Sequence, residues 1–296
     1  MESKKTIGHL SALLTVLIWG TTFISTKILL ADFHPVEILF YRFIIGFLAL
    51  IAACPKRSKR GSLKQELTFA AAGLCGISLY YLLENIALTF TLASNVGVIV
   101  SAAPLFTAIL SCLFMKSEEK LHANFFIGFA AAMAGIVLIS FNGSALELNP
   151  AGDLLAIAAA LVWAFYSLLS KKISSFGYPV LLSTRRIFFY GILFMIPTLF
   201  FFDFQTDFSR FADTACLINI LYLGLGASAL CFVTWNFAVG ELGALKTSVY
   251  IYMVPVITVI TSVLILHEKL TVLAVTGTAL ILAGLFLSEY RHDKKT

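Results

Sequence analysis

Ten long apolar runs restrict the folds open to this sequence more than any other feature. They cover residues 8–30, 36–54, 67–89, 91–115, 122–141, 151–170, 181–202, 214–238, 243–266 and 270–289. An α-helix needs roughly 20 apolar residues to cross the hydrocarbon core of a bilayer, whereas a barrel strand would be about half that length, with alternating polarity. The runs therefore predict an all-α membrane protein with ten transmembrane helices.

The composition indicates that lipid covers most of the outer surface. Of the 296 residues, 59% are hydrophobic and only 12% are charged, whereas a soluble domain holds about 25% charged residues. The five cysteines are scattered and form no C-x-x-C pair, which argues against a disulfide framework or a zinc site. We predict no metal and no cofactor, and we expect the lipid bilayer as a partner.

The distribution of lysine and arginine predicts the orientation. Along ten spans, 15 of the 21 basic residues fall on the side of the chain termini, three on the other side and three within spans. Because cytoplasmic loops carry the excess of positive charge, we expect both termini in the cytoplasm. The same loops account for the net charge of +5, so no nucleic-acid partner is predicted. The short polar N-terminus indicates that the first run stays as a span and is not a signal peptide.

The sequence also contains a doubled pattern. At an offset of 144, Trp19 matches Trp163 and Arg42 matches Arg186; later the offset becomes 151 and then 149. Further matched pairs are Asn85 with Asn236, Pro104 with Pro255, Gly128 with Gly277 and Gly135 with Gly284. The series predicts two repeats, residues 1–143 and 144–296, of five spans each. Because five is odd, the second repeat must be inverted, and such repeats can expose a shared site to each side in turn.

Motifs in both halves resemble the drug/metabolite transporter superfamily, in particular its EamA type. They are WGTTFISTK, HPVEILFYRF, ALTFTLASNVGVIVSAAPLFTAILS, SEEKLHANFFIGFAAAMAG and LHEKLTVLAVTGTALILAG. The resemblance covers nearly the whole chain. It implies ten helices, a central substrate cavity, and export of amino acids, amines or related metabolites across a bacterial inner membrane.

Glu84 is the leading candidate for substrate handling. Ionisable groups inside spans are costly and usually face a cavity or a partner helix. Tyr80 and Tyr81 lie one turn before Glu84, so one helix face offers aromatic rings beside a carboxylate. The carboxylate could bind an amine or carry a coupling proton. The alternatives are that it pairs with a neighbouring helix or lies in water near the outer end.

Five further residues are predicted to line the cavity. Trp19 and Trp163 lie mid-span, and their indole N–H groups need partners, although packing between helices is the alternative. The other three are Asn95, Tyr166 and Tyr250. Pro104 and Pro255 are expected to kink matched helices, and the matched glycines to allow close helix packing.

Arg42 and Arg186 are predicted to take part in gating, because they occupy matched positions in the two repeats. Each could pair with a carboxylate or with a helix carbonyl end. The alternative is that each side chain extends along its helix to the nearer membrane surface.

These observations predict a secondary transporter that exports small metabolites by alternating access, and not an enzyme. An uncoupled facilitator of the same substrates is the first alternative. A membrane-embedded lipid-modifying enzyme would need a cluster of nucleophile, acid and base or metal ligands, which the sequence does not supply. A structural scaffold is opposed by the repeat and by Glu84.

Overall fold

The computed structural model describes residues 2–56, 61–90, 96, 99–114, 123–140, 149–201, 204–205, 207–265 and 271–289. The regular elements of these residues are all helical. We label them α1 (Glu2–Leu29), α2 (Pro35–Ala53), α3 (Leu63–Gly73, Leu74–Leu79 and Tyr80–Phe90), α4 (Ala103–Phe114), α5 (Ala123–Ser140), α6 (Pro150–Ser174), α7 (Val180–Phe201), α8 (Thr214–Leu221, Tyr222–Leu230 and Cys231–Leu242), α9 (Ala244–Val249, Tyr250–Tyr252 and Met253–Ile265) and α10 (Val272–Glu289).

Five helices of the described chain are long and apolar enough to cross a membrane. They are Pro35–Ala53, Leu63–Glu84, Pro150–Ser174, Val180–Phe201 and Thr214–Leu242. Four shorter apolar helices are Ala103–Phe114, Ala123–Ile139, Ala244–Ile257 and Val275–Ser288. Large apolar side chains such as Leu154, Phe200 and Leu264 are exposed on the surface, as expected where lipid is the solvent. The predicted membrane all-α class is confirmed, whereas the count of ten spans remains a prediction.

Local sequence accounts for the helix boundaries. Helix α6 begins at Pro150, and the Asn149 side chain accepts hydrogen bonds from the backbone N–H groups of the next turn, so groups without helical partners are satisfied. Helix α2 likewise begins at a proline, with Glu37 completing a capping box at His34. Gly243 separates α8 from α9 with a φ of 97°, which a side chain would oppose.

The two matched prolines start α-helical segments after short breaks. Pro104 is the second residue of α4 and follows a turn at Ser101 and Ala102. Pro255 follows the 3₁₀ turn Tyr250–Tyr252 in α9. Proline is tolerated in the first turn of a helix because its missing N–H has no partner there in any case. Each proline therefore lies in the first turn of an α-helical segment, after a turn or a 3₁₀ segment, and the kink at each proline stays a prediction.

Helices α3 and α8 share an unusual feature, a π-helical segment. The segments are Leu74–Leu79 in α3 and Tyr222–Leu230 in α8. At the sequence offset of 151, Leu74–Leu79 corresponds to the last six residues of the α8 segment. π-Helical insertions are rare and are often found at functional sites. The two halves therefore place the same distortion at the same repeat position.

Helices α5 and α10 pack antiparallel through the four predicted glycines. A Cβ atom at Gly284 would lie 2.5 Å from the carbonyl oxygen of Gly128, and one at Gly277 would lie 2.5 Å from that of Gly135. Exchanging the halves at offset 149 converts the Gly128–Gly284 contact into the Gly277–Gly135 contact. The pair therefore has a local two-fold relation, and small residues permit the close approach.

Elsewhere, helices of the first half pack mainly on helices of the second. Helix α1 packs on α8 and α9, α2 on α7 and α8, and α3 on α6 and α7. The largest group of buried side chains, which includes Phe43, Trp163 and Trp235, draws on all of α1, α2, α3, α6, α7 and α8. Both halves therefore contribute side chains to the core.

We predict that Gly277→Ala and Gly284→Ala destabilise the protein, because each added methyl group would meet backbone of the facing helix. Overpacking of this kind costs about 1–3 kcal/mol. The measurement is thermal unfolding of the purified chain in detergent, followed by the loss of the monodisperse peak in size-exclusion chromatography.

Gly226→Ala is the matched control, since its Cβ would lie 3.5 Å from the nearest atoms, those of the Tyr222 ring. It should keep the wild-type transition. Equal stability of Gly277→Ala and Gly226→Ala would contradict the glycine contact.

Candidate functional site

A cluster of aromatic rings occupies the centre of the helix bundle. Its members, which we call the aromatic cluster, are Trp19, Tyr80, Tyr81, Trp163, Tyr166, Phe232 and Trp235. The ring centroids of Trp163 lie 5.4 Å from Trp19, 4.9 Å from Tyr80 and 5.0 Å from Tyr166. Offset and edge-on ring pairs at such distances are favourable. Five predicted cavity residues thus lie together, on α1, α3 and α6.

The tryptophans of the cluster differ in how their N–H groups are satisfied. Trp19 Nε1 donates to the Ala227 carbonyl at 3.0 Å, inside the π-helical segment of α8. The Nε1 atoms of Trp163 and Trp235 are buried and have no hydrogen-bond partner among the described residues. A buried polar group without a partner costs about 1–3 kcal/mol. Within the described residues, these two N–H groups therefore lack the acceptor that a buried indole usually has.

Glu84 lies at the edge of the aromatic cluster. The Tyr80 hydroxyl donates to Glu84 Oε1 at 3.2 Å. At the offset of 151, Glu84 corresponds to Trp235 in the second half, so the two halves contribute a carboxylate and an indole at equivalent positions. The cluster therefore has a carboxylate beside Tyr80 and an indole beside Trp19 at these equivalent sequence positions.

Arg42 contacts the aromatic cluster, whereas Arg186 does not. The Arg42 side chain is 7% exposed, its Nε donates to Ser228 Oγ at 2.9 Å, and its guanidinium lies 5.4 Å from the Tyr81 ring centroid. Arg186 forms an ion pair with Glu66 at 3.4 Å, and its guanidinium lies 4.8 Å from the Phe69 ring centroid. The matched arginines therefore bind different partners, Arg42 beside the aromatic cluster and Arg186 beside Glu66.

Tyr250 and Asn95 are the remaining predicted residues. The Tyr250 hydroxyl lies 2.7 Å from His9 Nδ1, where α1 meets α9, and the Tyr250 side chain also packs against the buried core that contains Trp163 and Trp235. Asn95 is outside the described residues. Phe232 and Trp235 were not predicted to belong to the site. The repeat offset, which relates Trp235 to Glu84, was a signal that could have identified Trp235.

Asn236 joins three helices through its side chain. Its Oδ1 accepts hydrogen bonds from Tyr166 and Ser170 of α6, both at 2.7 Å. Its Nδ2 donates to Thr184 Oγ1 of α7 at 3.0 Å. Because Asn236 and the hydroxyl groups that it binds are all buried, breaking this network would leave polar groups unsatisfied. Asn236 therefore connects the aromatic cluster to the ends of α6 and α7.

A cavity of about 230 Å³ opens beyond Asn236, between α6, α7 and α8. It lies at the end of the bundle where Lys171 and Arg185 bind backbone carbonyls, which we call the basic end. Its lining residues are Ser170, Ile173, Ser174, Tyr178, Val180, Ser183, Ile187, Asn236, Phe237, Gly240 and Glu241. None of the ten predicted site residues is among them. The residues that line this cavity all belong to the second half; the central cavity between the halves stays a prediction.

The opposite end of the bundle is held by a buried ion pair that we call the Glu37–Arg210 clamp. Arg210 lies in the 3₁₀ turn Phe208–Ala212 and donates to Glu37 Oε2 at 2.9 Å and to Oε1 at 3.1 Å. The Gln205 backbone N–H donates to the same carboxylate at 2.8 Å. Hydrogen bonding to Glu37 raises the pKa of Arg210 above its ordinary value. The clamp ties the α7–α8 connection to the start of α2.

A small acidic group beside the clamp has an ordinary explanation. Oxygen atoms of Asp32 and Asp213 and the Cys216 sulfur lie within 4.8 Å of one another. The thiol hydrogen-bonds to Asp32 Oδ2 at 3.4 Å, and Asp213 caps α8. Both aspartates are exposed. The thiol hydrogen bond and the helix cap account for this group without a metal ion.

Apolar helices around a buried aromatic and ionisable centre define a multi-pass α-helical membrane protein. Residues 6–141 and 150–290 both match the EamA-like transporter family, and the chain belongs to this family. It is therefore a membrane transporter and not an enzyme.

Named relatives and a solved structure agree with this assignment. An uncharacterized transporter of Archaeoglobus fulgidus is 30% identical over 303 residues, which cover 99% of this chain and 100% of the relative. A probable terminal-alkyne amino-acid exporter of Streptantibioticus cattleyicolor is 27% identical, over 98% of this chain and 95% of the relative. A crystal structure shares the fold with a TM-score of 0.81 at 20% identity, over 98% of this chain and 97% of that chain.

We predict that Glu37→Gln and Arg210→Gln each destabilise the protein, because each leaves one charge of the clamp without its partner. Glu37 is nearly fully buried, and loss of one partner from a buried pair costs roughly 3 kcal/mol. A double-mutant cycle on unfolding in detergent should give a coupling energy of about 1–3 kcal/mol.

Asp207→Asn is the control, since the exposed Asp207 side chain accepts hydrogen bonds from Ser209, and the backbone carbonyl that accepts from Arg210 Nε is unchanged by the substitution. It should leave stability nearly unchanged. Additive losses in the Glu37/Arg210 cycle would show that the clamp contributes no energy as a pair.

Proposed function

We propose that this protein is a secondary transporter that exports small metabolites, such as amino acids, amines or drug-like compounds, by alternating access. The aromatic cluster is the substrate site. The observation that carries the proposal is the contact between Trp19 and Trp163, which come from equivalent positions of the two halves and meet at the centre, 5.4 Å apart.

The repeat architecture is the basis of alternating access. In the proposal, residues 1–143 and 144–296 are inverted repeats that together supply ten spans. The two separate family matches, the paired π-helical segments and the two-fold glycine contact between α5 and α10 support it. Two halves of similar structure and opposite orientation can exchange conformations, which opens the shared centre to one side and then to the other.

The chemistry of the aromatic cluster suits a substrate with an ammonium group and an acceptor group. Glu84 and the ring faces of Tyr80 and Tyr81 attract a cation. The indole N–H groups of Trp163 and Trp235 would meet a carboxylate or carbonyl oxygen. An amino acid carries both groups, and the name of the Streptantibioticus relative is consistent with that class. A simple amine has the ammonium group but lacks the acceptor group.

The charged contacts at the two ends would act as gates. Arg186, tied to Glu66, lies toward the basic end, whereas Arg42 is bound to Ser228 of the other half. The Glu37–Arg210 clamp closes the opposite end while a cavity opens at the basic end. By the excess of positive charge, the basic end faces the cytoplasm of a bacterial inner membrane, and this arrangement would accept substrate from inside.

The coupling mechanism separates the two transport hypotheses. A proton-coupled exporter needs a group that changes charge during the cycle, and Glu84 is the candidate. An uncoupled facilitator would use Glu84 only as a binding group. Accumulation of substrate against its gradient when a proton gradient is imposed would favour coupling, whereas equilibration alone would favour the facilitator.

We predict that Glu84→Gln lowers efflux of cationic amines from proteoliposomes by about tenfold, which corresponds to roughly 1.4 kcal/mol of lost binding energy. A panel of amino acids and amines is first tested on the wild type across a range of pH. The pH dependence of the transported substrate should also disappear in the variant.

Tyr80→Phe is the matched control, because it removes the hydroxyl that binds Glu84 and leaves the carboxylate in place. It should retain pH-dependent efflux. If Glu84→Gln transports every wild-type substrate at the wild-type rate at each pH, the role of Glu84 is excluded. If the wild type moves none of the panel, the proposed substrate class fails.

A further inference from the structure

The cavity at the basic end is a pocket to which the substrate proposal assigns no binding residues. It is separate from the aromatic cluster, and Asn236 lies between the two. We propose that this cavity is a second binding site, an entry site that holds the ammonium group of a small solute before the solute reaches the aromatic cluster. Its place in a transport cycle rests on the proposed function, whereas its ligand chemistry does not.

The hydroxyl groups of the lining present acceptors to the cavity. Ser170 donates its hydrogen to Asn236, Ser174 donates to the Lys171 carbonyl at 2.6 Å, and Tyr178 donates to Gln65 at 3.2 Å. A hydroxyl that donates elsewhere retains only oxygen lone pairs for a ligand. A ligand with N–H donors therefore matches these three groups.

Glu241 supplies the charge of the lining. Among the described residues that line the cavity, it is the one with a carboxyl group, and the lining contains no lysine or arginine. It belongs to neither of the two ion pairs of the described chain. At the rim, the Lys171 ammonium donates to the Gly240 carbonyl at 2.6 Å, so the lining already accepts one ammonium group from the protein.

The size and the apolar side of the cavity limit the solute. Drug-sized ligands occupy pockets of about 300–1,000 Å³, and this cavity measures about 230 Å³. Ile173, Ile187 and Phe237 form an apolar wall. A primary amine with a short hydrocarbon or aromatic body matches both the apolar side chains and the hydroxyl and carboxyl groups of the lining.

Asn236 forms the partition between the entry site and the aromatic cluster. One side of its amide lines the cavity, and the other binds Tyr166, whose ring packs 5.0 Å from Trp163. Passage of a solute requires Asn236 to release hydrogen bonds to α6 and α7. The same network therefore closes the entry site from the centre until those helices separate.

Cysteine labelling tests the entry site without any transport measurement. Ser183, which lies in the cavity, is changed to cysteine in a chain whose five natural cysteines are replaced by alanine. Inside-out vesicles are treated with a cationic or an anionic methanethiosulfonate reagent. We expect the cationic reagent to react about fivefold faster, because Glu241 attracts it, and Glu241→Gln to abolish that preference.

Ser175→Cys is the matched control, since Ser175 is exposed at the same end and does not line the cavity. Its labelling should not respond to Glu241→Gln. Phenylethylammonium should protect Ser183→Cys, and 2-phenylethanol, which has a similar shape and no charge, should not. Absence of labelling at Ser183→Cys, equal rates for the two reagents, or equal protection by the two solutes would overturn the proposal.

Transport kinetics then distinguish failure of the site from failure of the function. For a transported amine, Glu241→Gln should raise the KM about fivefold with little change in maximal rate, whereas Asp32→Asn, a carboxylate at the opposite end, should change neither. Charge-selective labelling without any amine transport would retain the site and reject the proposed function. Transport with unaltered KM in Glu241→Gln would retain the function and reject the site.

Discussion

Lipid offers no hydrogen bonds to the polar groups of a membrane-spanning chain, and the arrangement of this protein follows from that constraint. Backbone groups are satisfied inside helices, and buried side chains bind each other or backbone carbonyls. Trp19 reaches a carbonyl of α8, Arg42 reaches Ser228, and Asn236 reaches both α6 and α7. Each of the first two contacts links one half of the chain to the other. The halves are therefore held together by polar groups that neither could satisfy alone.

The same constraint explains which features could be predicted from sequence. Apolar runs and the repeat offset predicted the helical membrane class, because hydropathy and helix length are local properties. The offset also brought Trp19 and Trp163 to attention, and these residues do meet. The number of spans was harder to recover from the structure, because α9 is interrupted by a 3₁₀ turn and α4 follows a turn at Ser101. Short helical segments fall below the length that marks a span.

Other parts of the site depend on which residues face each other across helices, and sequence does not contain that information directly. Tyr250 was predicted to line the cavity, and the structure shows that its hydroxyl lies beside His9. Arg42 and Arg186 were each expected to pair with a carboxylate or a helix carbonyl end; Arg186 pairs with Glu66 on α3, whereas Arg42 binds the Ser228 hydroxyl. The offset of 151 relates Glu84 to Trp235. A comparison that looks for identical or similar residues does not pair them, because one is a carboxylate and the other an indole. Such replaced pairs make the two halves chemically different at equivalent sequence positions.

In the proposed mechanism, the partition at Asn236 would need a counterpart in the first half. At the offsets of the two halves, Asn236 corresponds to Asn85, Tyr166 to Thr22 and Ser170 to Thr26. Each position that donates a hydroxyl to the amide in the second half thus carries a hydroxyl in the first half as well. An exchange of conformations between the halves requires a comparable partition near the opposite end. Asn85, Thr22 and Thr26 are the residue types that such a partition would need, whereas the tyrosine ring occurs only in the second half.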